Sequence, residues 1–163
     1  MPVRASTKIQ SAGLLLFRQR DKHVQVLLGH PGGPFWSLKD RGAWTIPKGL
    51  IGLGESPLSA AQREFAEETG YQPGGKTIPL GSAKQPGGKV VHVWAIEEDW
   101  DPADLQSNTF EMEWPPRSGR RQAFPEIVRA SWFRVVEARL KIPKGQAVFI
   151  DRLLEKLSRT EDS

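Results

Sequence analysis

The chain has 163 residues, 26% of them charged and 38% hydrophobic, the balance of an ordinary soluble protein long enough for one domain with a sizeable core. It contains no cysteine, which excludes disulfides, thiolate catalysis and cysteine-held zinc. A formal charge of +4 and a pI near 9.6 favour anionic ligands such as phosphates, weakly, since many basic proteins bind nothing acidic.

Residues 10–17 (QSAGLLLF) and 23–29 (HVQVLLG) read as two strands joined by a charged turn at 18–22. The apolar run from Ala12 to Phe17 is too short and too interrupted for a signal peptide or a membrane span, so a cytoplasmic protein with no membrane partner is expected. Pro31 to Pro34 forms a turn, and Trp44-Thr45-Ile46 reads as a short strand leading into Pro47-Lys48-Gly49. A helix follows from Pro57. Ser56 suits its N-cap, Pro57 its first position and Gly70 its C-terminal closure. Beyond it come a strand near 77–83, a glycine turn at Gly87-Gly88, a strand at 89–96 (KVVHVWAI) and an irregular acidic loop at 98–108. A short strand at 109–114 (TFEMEW), a basic loop at 115–125 and a strand at 130–135 (ASWFRV) lead to a terminal helix at about 146–158. That helix sets Val148, Ile150, Leu153, Leu154 and Leu157 along one apolar face. Strands before, between and after two main helices predict an α/β (α+β) chain, a mixed sheet with helices on both faces.

The segment from Gly49 to Gly70, GLIGLGESPLSAAQREFAEETG, carries the chemistry. Leu58, Ala61 and Phe65 give its helix an apolar face. Glu64, Glu67 and Glu68 stand at i, i+3 and i+4, so they share the opposite face, and like charges this close destabilise a helix unless a cation neutralises them. A glutamate-rich face is usually just solvated surface, and "EFAEE" alone would be read that way. Glu55 in the preceding loop and Arg63, four residues before Glu67, extend the pattern beyond what surface composition explains. Glutamates are hard oxygen ligands suited to Mg²⁺ or Mn²⁺, which bridge to substrate phosphates and activate water. With no cysteine and no Gly-x-Ser-x-Gly there is no obvious acyl nucleophile, so metal-assisted hydrolysis of a phosphoanhydride is the natural reading.

The spacing Gly-x5-Glu-x7-Arg-Glu-U-x-Glu-Glu-x-Gly-U, with U a bulky apolar residue, resembles the signature of the Nudix hydrolases. Gly49, Glu55, Arg63, Glu64, Glu67, Glu68 and Gly70 fill every fixed position. Phe65 and Tyr71 fill the U positions, aromatic where aliphatic residues are commoner, which touches packing and leaves the ligand set intact. The resemblance covers about 8–157 of a single domain, 1–163, and implies an α/β/α sandwich around a mixed central sheet. The ends, 1–7 and 158–163, are expected to fray. It also implies cleavage of a nucleoside diphosphate linked to a further group, with Mg²⁺ or Mn²⁺ as cofactor. The segments 11–17, 26–28 and 44–49 resemble the diadenosine-polyphosphate hydrolase branch. His30 to Trp36 and Glu113 to Gly119 resemble a bacterial group of predicted NTP pyrophosphohydrolases.

Carried over residue by residue, the resemblance implies that Glu64 and Glu68 are principal metal ligands, Glu67 a further ligand or support, and a carbonyl near Gly49 part of the coordination. Glu55 binds a second metal or braces the loop, and Gly70 is structural. For the general base the resemblance implies either a box glutamate (Glu64, Glu67 or Glu68) or a carboxylate from a later loop; Glu126 in Phe124-Pro125-Glu126 is the candidate for the latter, against Glu111 and Glu113, of which alternation turns one face inward. Lys48, and Arg117, Arg120 and Arg121 of the basic loop, are candidate phosphate contacts, with a solvated loop as the plainer reading of the arginines. Trp36, Trp44, Trp94 and Trp114 include candidate base-stacking platforms, while His92 reads as a satisfied sheet histidine. The expected partner is a small-molecule nucleotide, either dinucleoside polyphosphates or (d)NTPs, bound by a monomer or homodimer. Alternatives are a 5′-end pyrophosphohydrolase of RNA, which would bring a nucleic-acid partner, and a non-catalytic nucleotide-binding module.

Overall fold

The computed structural model describes residues 9–161. Eight strands and three α-helices follow one another there: β1 (Gln10–Arg20), β2 (His23–Pro31), β3 (Lys48–Leu50), α1 (Pro57–Thr69), β4 (Thr77–Lys84), β5 (Val90–Glu97), β6 (Thr109–Glu113), β7 (Arg121–Pro125), β8 (Ile127–Arg134), α2 (Val135–Lys141) and α3 (Ala147–Glu161). Six strands form one sheet in the order β4-β5-β1-β2-β8, with β3 on the free stretch of β1. β1 runs parallel to β5 and antiparallel to β2 and β3, so the sheet is mixed. β6 and β7 form a separate antiparallel hairpin.

The central strand β1 is an apolar run with no polar alternation because both of its faces are covered. Leu14 and Leu16 point to one side, where Ala60, Ala61 and Phe65 of α1 meet Leu27, Ile96 and Trp100. Leu15 and Phe17 point to the other, where Phe149, Ile150 and Leu153 of α3 and Ala138 of α2 close over Val93, Ala95 and Phe133. These two clusters are the two interlayer cores of an α/β/α sandwich, as expected. The aromatic residues at the U positions serve packing: Phe65 meets Trp100 edge-on at 6.5 Å, and Tyr71 stacks on Trp100 at 5.6 Å.

Several expected elements differ. Trp44-Thr45-Ile46 is not a strand; Thr45 makes one bridge to Gly29, and the ladder against β1 begins at Lys48. Ile46 is instead tied to the far layer, its N–H donating to the buried Gln146 Oε1 at 3.0 Å. The basic loop at 115–125 contains β7, which pairs with β6 from Thr109↔Pro125 to Glu113↔Arg121. β8 begins at Ile127, and the chain turns into α2 at Val135, a helix too short for its periodicity to stand out in the sequence. Of the ends expected to fray, 158–161 continue α3, while 1–7 and 162–163 lie outside the described residues. Among the described residues no helix is long and apolar enough to cross a membrane.

Phe65 anchors α1 to the sheet from the side opposite its glutamates. Phe65→Ala is expected to lower unfolding free energy by about 3–5 kcal/mol, read from the urea midpoint at unchanged slope. A midpoint equal to wild type would contradict the packing described.

Candidate active site

The acidic segment is a loop and helix held together by one guanidinium. Ser56 sits in extended conformation and its hydroxyl accepts from Ser59 N–H at 3.2 Å, while Gly70 closes the helix at φ 79°. Arg63 then reaches back across the loop. Its Nε donates to Glu55 Oε2 at 2.8 Å and its Nη2 to Glu55 Oε1 at 3.0 Å, a two-pronged pair. The same guanidinium donates to Glu64 Oε1 at 2.9 Å, to both Glu67 oxygens at 3.2 Å and to the carbonyl of Leu50 at 2.9 Å. Glu55 also accepts from Gly52 N–H at 2.9 Å, and these donors, Arg63 first, bring its pKa down to about 2. Glu55 is thus tied to the loop backbone at Gly52 and to the helix through Arg63, and Gly70 forms the C-cap of α1.

Glu68 is placed differently from its neighbours. It is buried to 9% exposure beneath β3, and its Oε2 accepts the Lys48 N–H at 3.1 Å. Burial, then the charges of Glu64 and Glu126, push its pKa up to about 8. Glu126 is pushed up as well, by burial first and by Glu64 second. Glu64 lies against the backbone of Gly49, where a Cβ would fall 2.0 Å from the glutamate's carboxyl carbon, so any other residue here would displace that carboxylate. Burial lowers the pKa of the Lys48 ammonium, against the opposing pull of Glu68 and Glu64. The charges of Glu64 and Glu126 thus both act on the buried Glu68, to which the backbone of Lys48 is hydrogen-bonded. Glu67 stands at the rim, 43% exposed and paired with Arg63.

Glu126 reaches this place because its main chain is stitched in. Its N–H donates to Asn108 O at 2.9 Å, Asn108 N–H donates to Glu67 O at 2.8 Å, and Gln106 N–H donates to Thr69 O at 2.9 Å. The segment before β6 therefore satisfies carbonyls that the last turn of α1 leaves open. The rivals point elsewhere. In β6, Phe110 and Met112 are half-buried while Glu111 and Glu113 are exposed; Glu113 accepts from Arg117 N–H at 2.6 Å and Glu111 pairs with Arg121 at 3.5 Å.

Two further expectations need correction. Trp44 cannot act as a stacking platform. It is 7% exposed, with His30 and Phe133 edge-on at 5.0 Å each and Arg129 over its ring. Arg117, Arg120 and Arg121 gather at the far end of the β6–β7 hairpin, roughly 14 Å along the ladder from its base at Glu126. They are solvated there, apart from the carboxylates. His92 is satisfied, its Nε2 lying 2.9 Å from Gln10 Oε1.

A cleft missed in the sequence adjoins the carboxylates. Pro31, Gly32, Gly33, Phe35 and Trp36 form one wall, Phe110 and Met112 the other, and Glu126 an end; its volume is about 450 Å³. Its sequence signals are Trp36 as a candidate stacking platform and the inward alternation of Phe110 and Met112. A larger cavity of about 650 Å³, between the start of β2 and α2, shares no residue with the carboxylate site.

The fold and the glutamate-bearing helix define a class that is widely represented among solved structures. The Ap4A hydrolase of C. elegans in a binary complex superposes with a TM-score of 0.64 at 20% identity, covering 93% of this chain and 98% of that one. The NUDIX domain of Shewanella oneidensis NrtR with ADP ribose gives 0.63 at 18%, covering 96% and 93%. The NUDIX domain family model matches residues 7–153, and the chain belongs to that family. An RNA pyrophosphohydrolase of Francisella philomiragia is 31% identical over 98 residues, which are 60% of this chain and 54% of the relative. The match thus spans about half the length of the curated relative.

The burial of Glu68 has a measurable sign. Below its ordinary pKa of 4.5 both folded and unfolded chains hold the proton; between there and about 8 only the folded chain keeps it. The metal-free protein is therefore expected to lose stability as pH rises through that window. Thermal melts without divalent cations should show the decline, and Glu68→Gln should flatten it.

Proposed function

We propose that the chain is a divalent-metal-dependent pyrophosphohydrolase that cleaves a phosphoanhydride in nucleoside diphosphate-linked substrates, dinucleoside polyphosphates first and (d)NTPs second. The observation that carries this reading is the gathering of carboxylates around the buried Glu68, whose proton affinity is raised by burial first and then by the charges of Glu64 and Glu126, with Lys48 N–H donating to it. Such crowding destabilises the protein and is relieved by a cation.

The residues fit Mg²⁺ or Mn²⁺. The donors are carboxylate oxygens with the carbonyl of Gly49, a hard set. Among the described residues no three acidic or histidine side chains are grouped so as to hold a metal ion by themselves. Mg²⁺ does not call for such a grouping: it takes one or two carboxylates and completes its shell with waters and substrate phosphates. Glu64 and Glu68 would hold the cation, with Glu67 in support. When bound, it polarises a phosphoryl oxygen and acidifies water.

The remaining work belongs to the chain. Glu126 is the general base: it takes a proton from water as the water oxygen bonds to phosphorus. The anhydride P–O bond breaks, and the leaving phosphate departs with the electron pair. Lys48 neutralises charge on the phosphates. Arg63 is a positioning residue, since it fixes Glu55, Glu64 and Glu67 together.

A second reading, pyrophosphate removal from the 5′ end of RNA, is favoured by the Francisella relative and by the arginines at the hairpin tip, where a strand leaving the site would find them. It predicts steep salt dependence and a preference for 5′-triphosphate RNA. Equal rates on RNA and free nucleotide would count against it.

The deciding assay supplies Mg²⁺ with diadenosine tetraphosphate, (d)NTPs or 5′-triphosphate RNA and identifies products by mass in ¹⁸O water. Glu68→Gln is expected to cut turnover by about a hundredfold or more while circular dichroism stays unchanged. Undiminished turnover in that variant would overturn the assignment.

A further inference from the structure

We infer that the cleft between the Pro31–Trp36 loop and the β6–β7 hairpin is the seat of the base of a nucleotide substrate. This inference rests on the proposed phosphoanhydride chemistry for the identity of the occupant. Its geometry stands independently.

The lining is aromatic and incompletely covered. Phe35 is 64% and Trp36 39% exposed, side by side on the loop, and Phe110 faces them from the hairpin. Exposed aromatic surface gathered in a concavity marks a binding place more often than a scattered surface residue does. A volume of about 450 Å³ lies within the ordinary range for small-molecule sites and suits a flat group with its sugar. A cation stands at the rim: Lys39 Nζ lies 5.1 Å from the centre of the Trp36 ring.

The walls are fixed before any ligand arrives. Gly32 N–H donates to Glu126 O at 3.2 Å, and a Cβ on Gly32 would come within 2.0 Å of Pro125 O. Gly33, at φ +95°, lies so close to Phe110 that a Cβ would stand 3.1 Å from its ring. Phe35 meets Trp114 edge-on at 6.2 Å. Two glycines thus let the loop seat directly on the hairpin, and a preformed cleft loses little freedom on binding.

Position selects the occupant. Glu126 ends the cleft and is also the carboxylate that couples to Glu64 and Glu68. A group seated against Trp36 therefore shares its cleft with one of the catalytic carboxylates, Glu126. A nucleotide joins a flat aromatic base to its phosphates, and every base offers a face for stacking.

Calorimetric titration with Mg²⁺ separates base from phosphate recognition. The probes are the β,γ-imido analogue of ATP and inorganic tripolyphosphate, on wild type, Trp36→Ala and Trp36→Phe. Wild type is expected to bind the nucleotide more tightly than tripolyphosphate. Trp36→Ala should weaken nucleotide binding roughly tenfold, leave tripolyphosphate unchanged, and be largely rescued in Trp36→Phe. Nucleotide binding indifferent to Trp36, or equal loss of both probes, would overturn the cleft assignment even if hydrolysis persists. So would a dimer in sedimentation that Trp36→Ala dissolves, since a second copy would then fill the cleft. Trp36-dependent nucleotide binding without hydrolysis of any phosphoanhydride would sustain the cleft and sink the proposed function.

Discussion

The guanidinium of Arg63 is the constraint on which the site depends. It reaches Glu55, Glu64, Glu67 and the carbonyl of Leu50, so it joins the strand end, the glycine-rich loop and the helix in one network. A surface ion pair alone contributes little, but a planar donor engaging several fixed acceptors restricts many rotamers at once. Beyond Leu50 the loop to Ser56 leaves the sheet ladder with one backbone bond to β1, from Ile51 N–H to Gln10 O, and Arg63 adds the ties that join it to the helix. With it, Glu64 is pressed against Gly49 and Glu68 is left as the helix glutamate without an arginine.

That division explains why three neighbouring glutamates behave so differently. Glu67 keeps solvent and a counterion, and Glu64 is largely covered but keeps the same arginine. Glu68 turns under β3 and has only a backbone N–H and a nearby lysine to hold its charge. Burial of an ionisable group without full compensation is destabilising, and it concentrates where a group must be free to engage something else. The opposite face of the same helix supplies the anchorage, since Ala60, Ala61 and Phe65 are fully buried against the sheet. The packing of one side tolerates the strain of the other.

Much of this was legible in the sequence, for identifiable reasons. The caps Ser56 and Gly70, the two-faced strand β1 and the glutamate spacing are local patterns, and each appears where its spacing requires. What escaped was non-local. The ladder at Lys48 is chosen by pairing with β1, not by the more strand-like Trp44-Thr45-Ile46, whose indole is needed in the core. The stretch 121–125 looks like loop because its arginine, glutamine and proline suit solvent; it is a strand only because β6 lies opposite. The arginines near it were legible as cations but not as distant ones. Trp36 and Phe110 lie 74 residues apart in sequence (110 − 36), so no window along the chain could show that they share a cleft.

The stitching of Glu126 separates two kinds of variation. Its main chain is tied to Asn108, which is tied in turn to the last turn of α1, and these bonds sit at the base of the hairpin. The tip, from Trp114 to Arg120, makes none of them. Lengthening, shortening or re-lettering that tip would reshape what approaches the site while leaving the carboxylates in register. The hairpin tip can thus vary in length and sequence without moving the main chain that carries Glu126, so the reach of the hairpin and the placement of that carboxylate are separable.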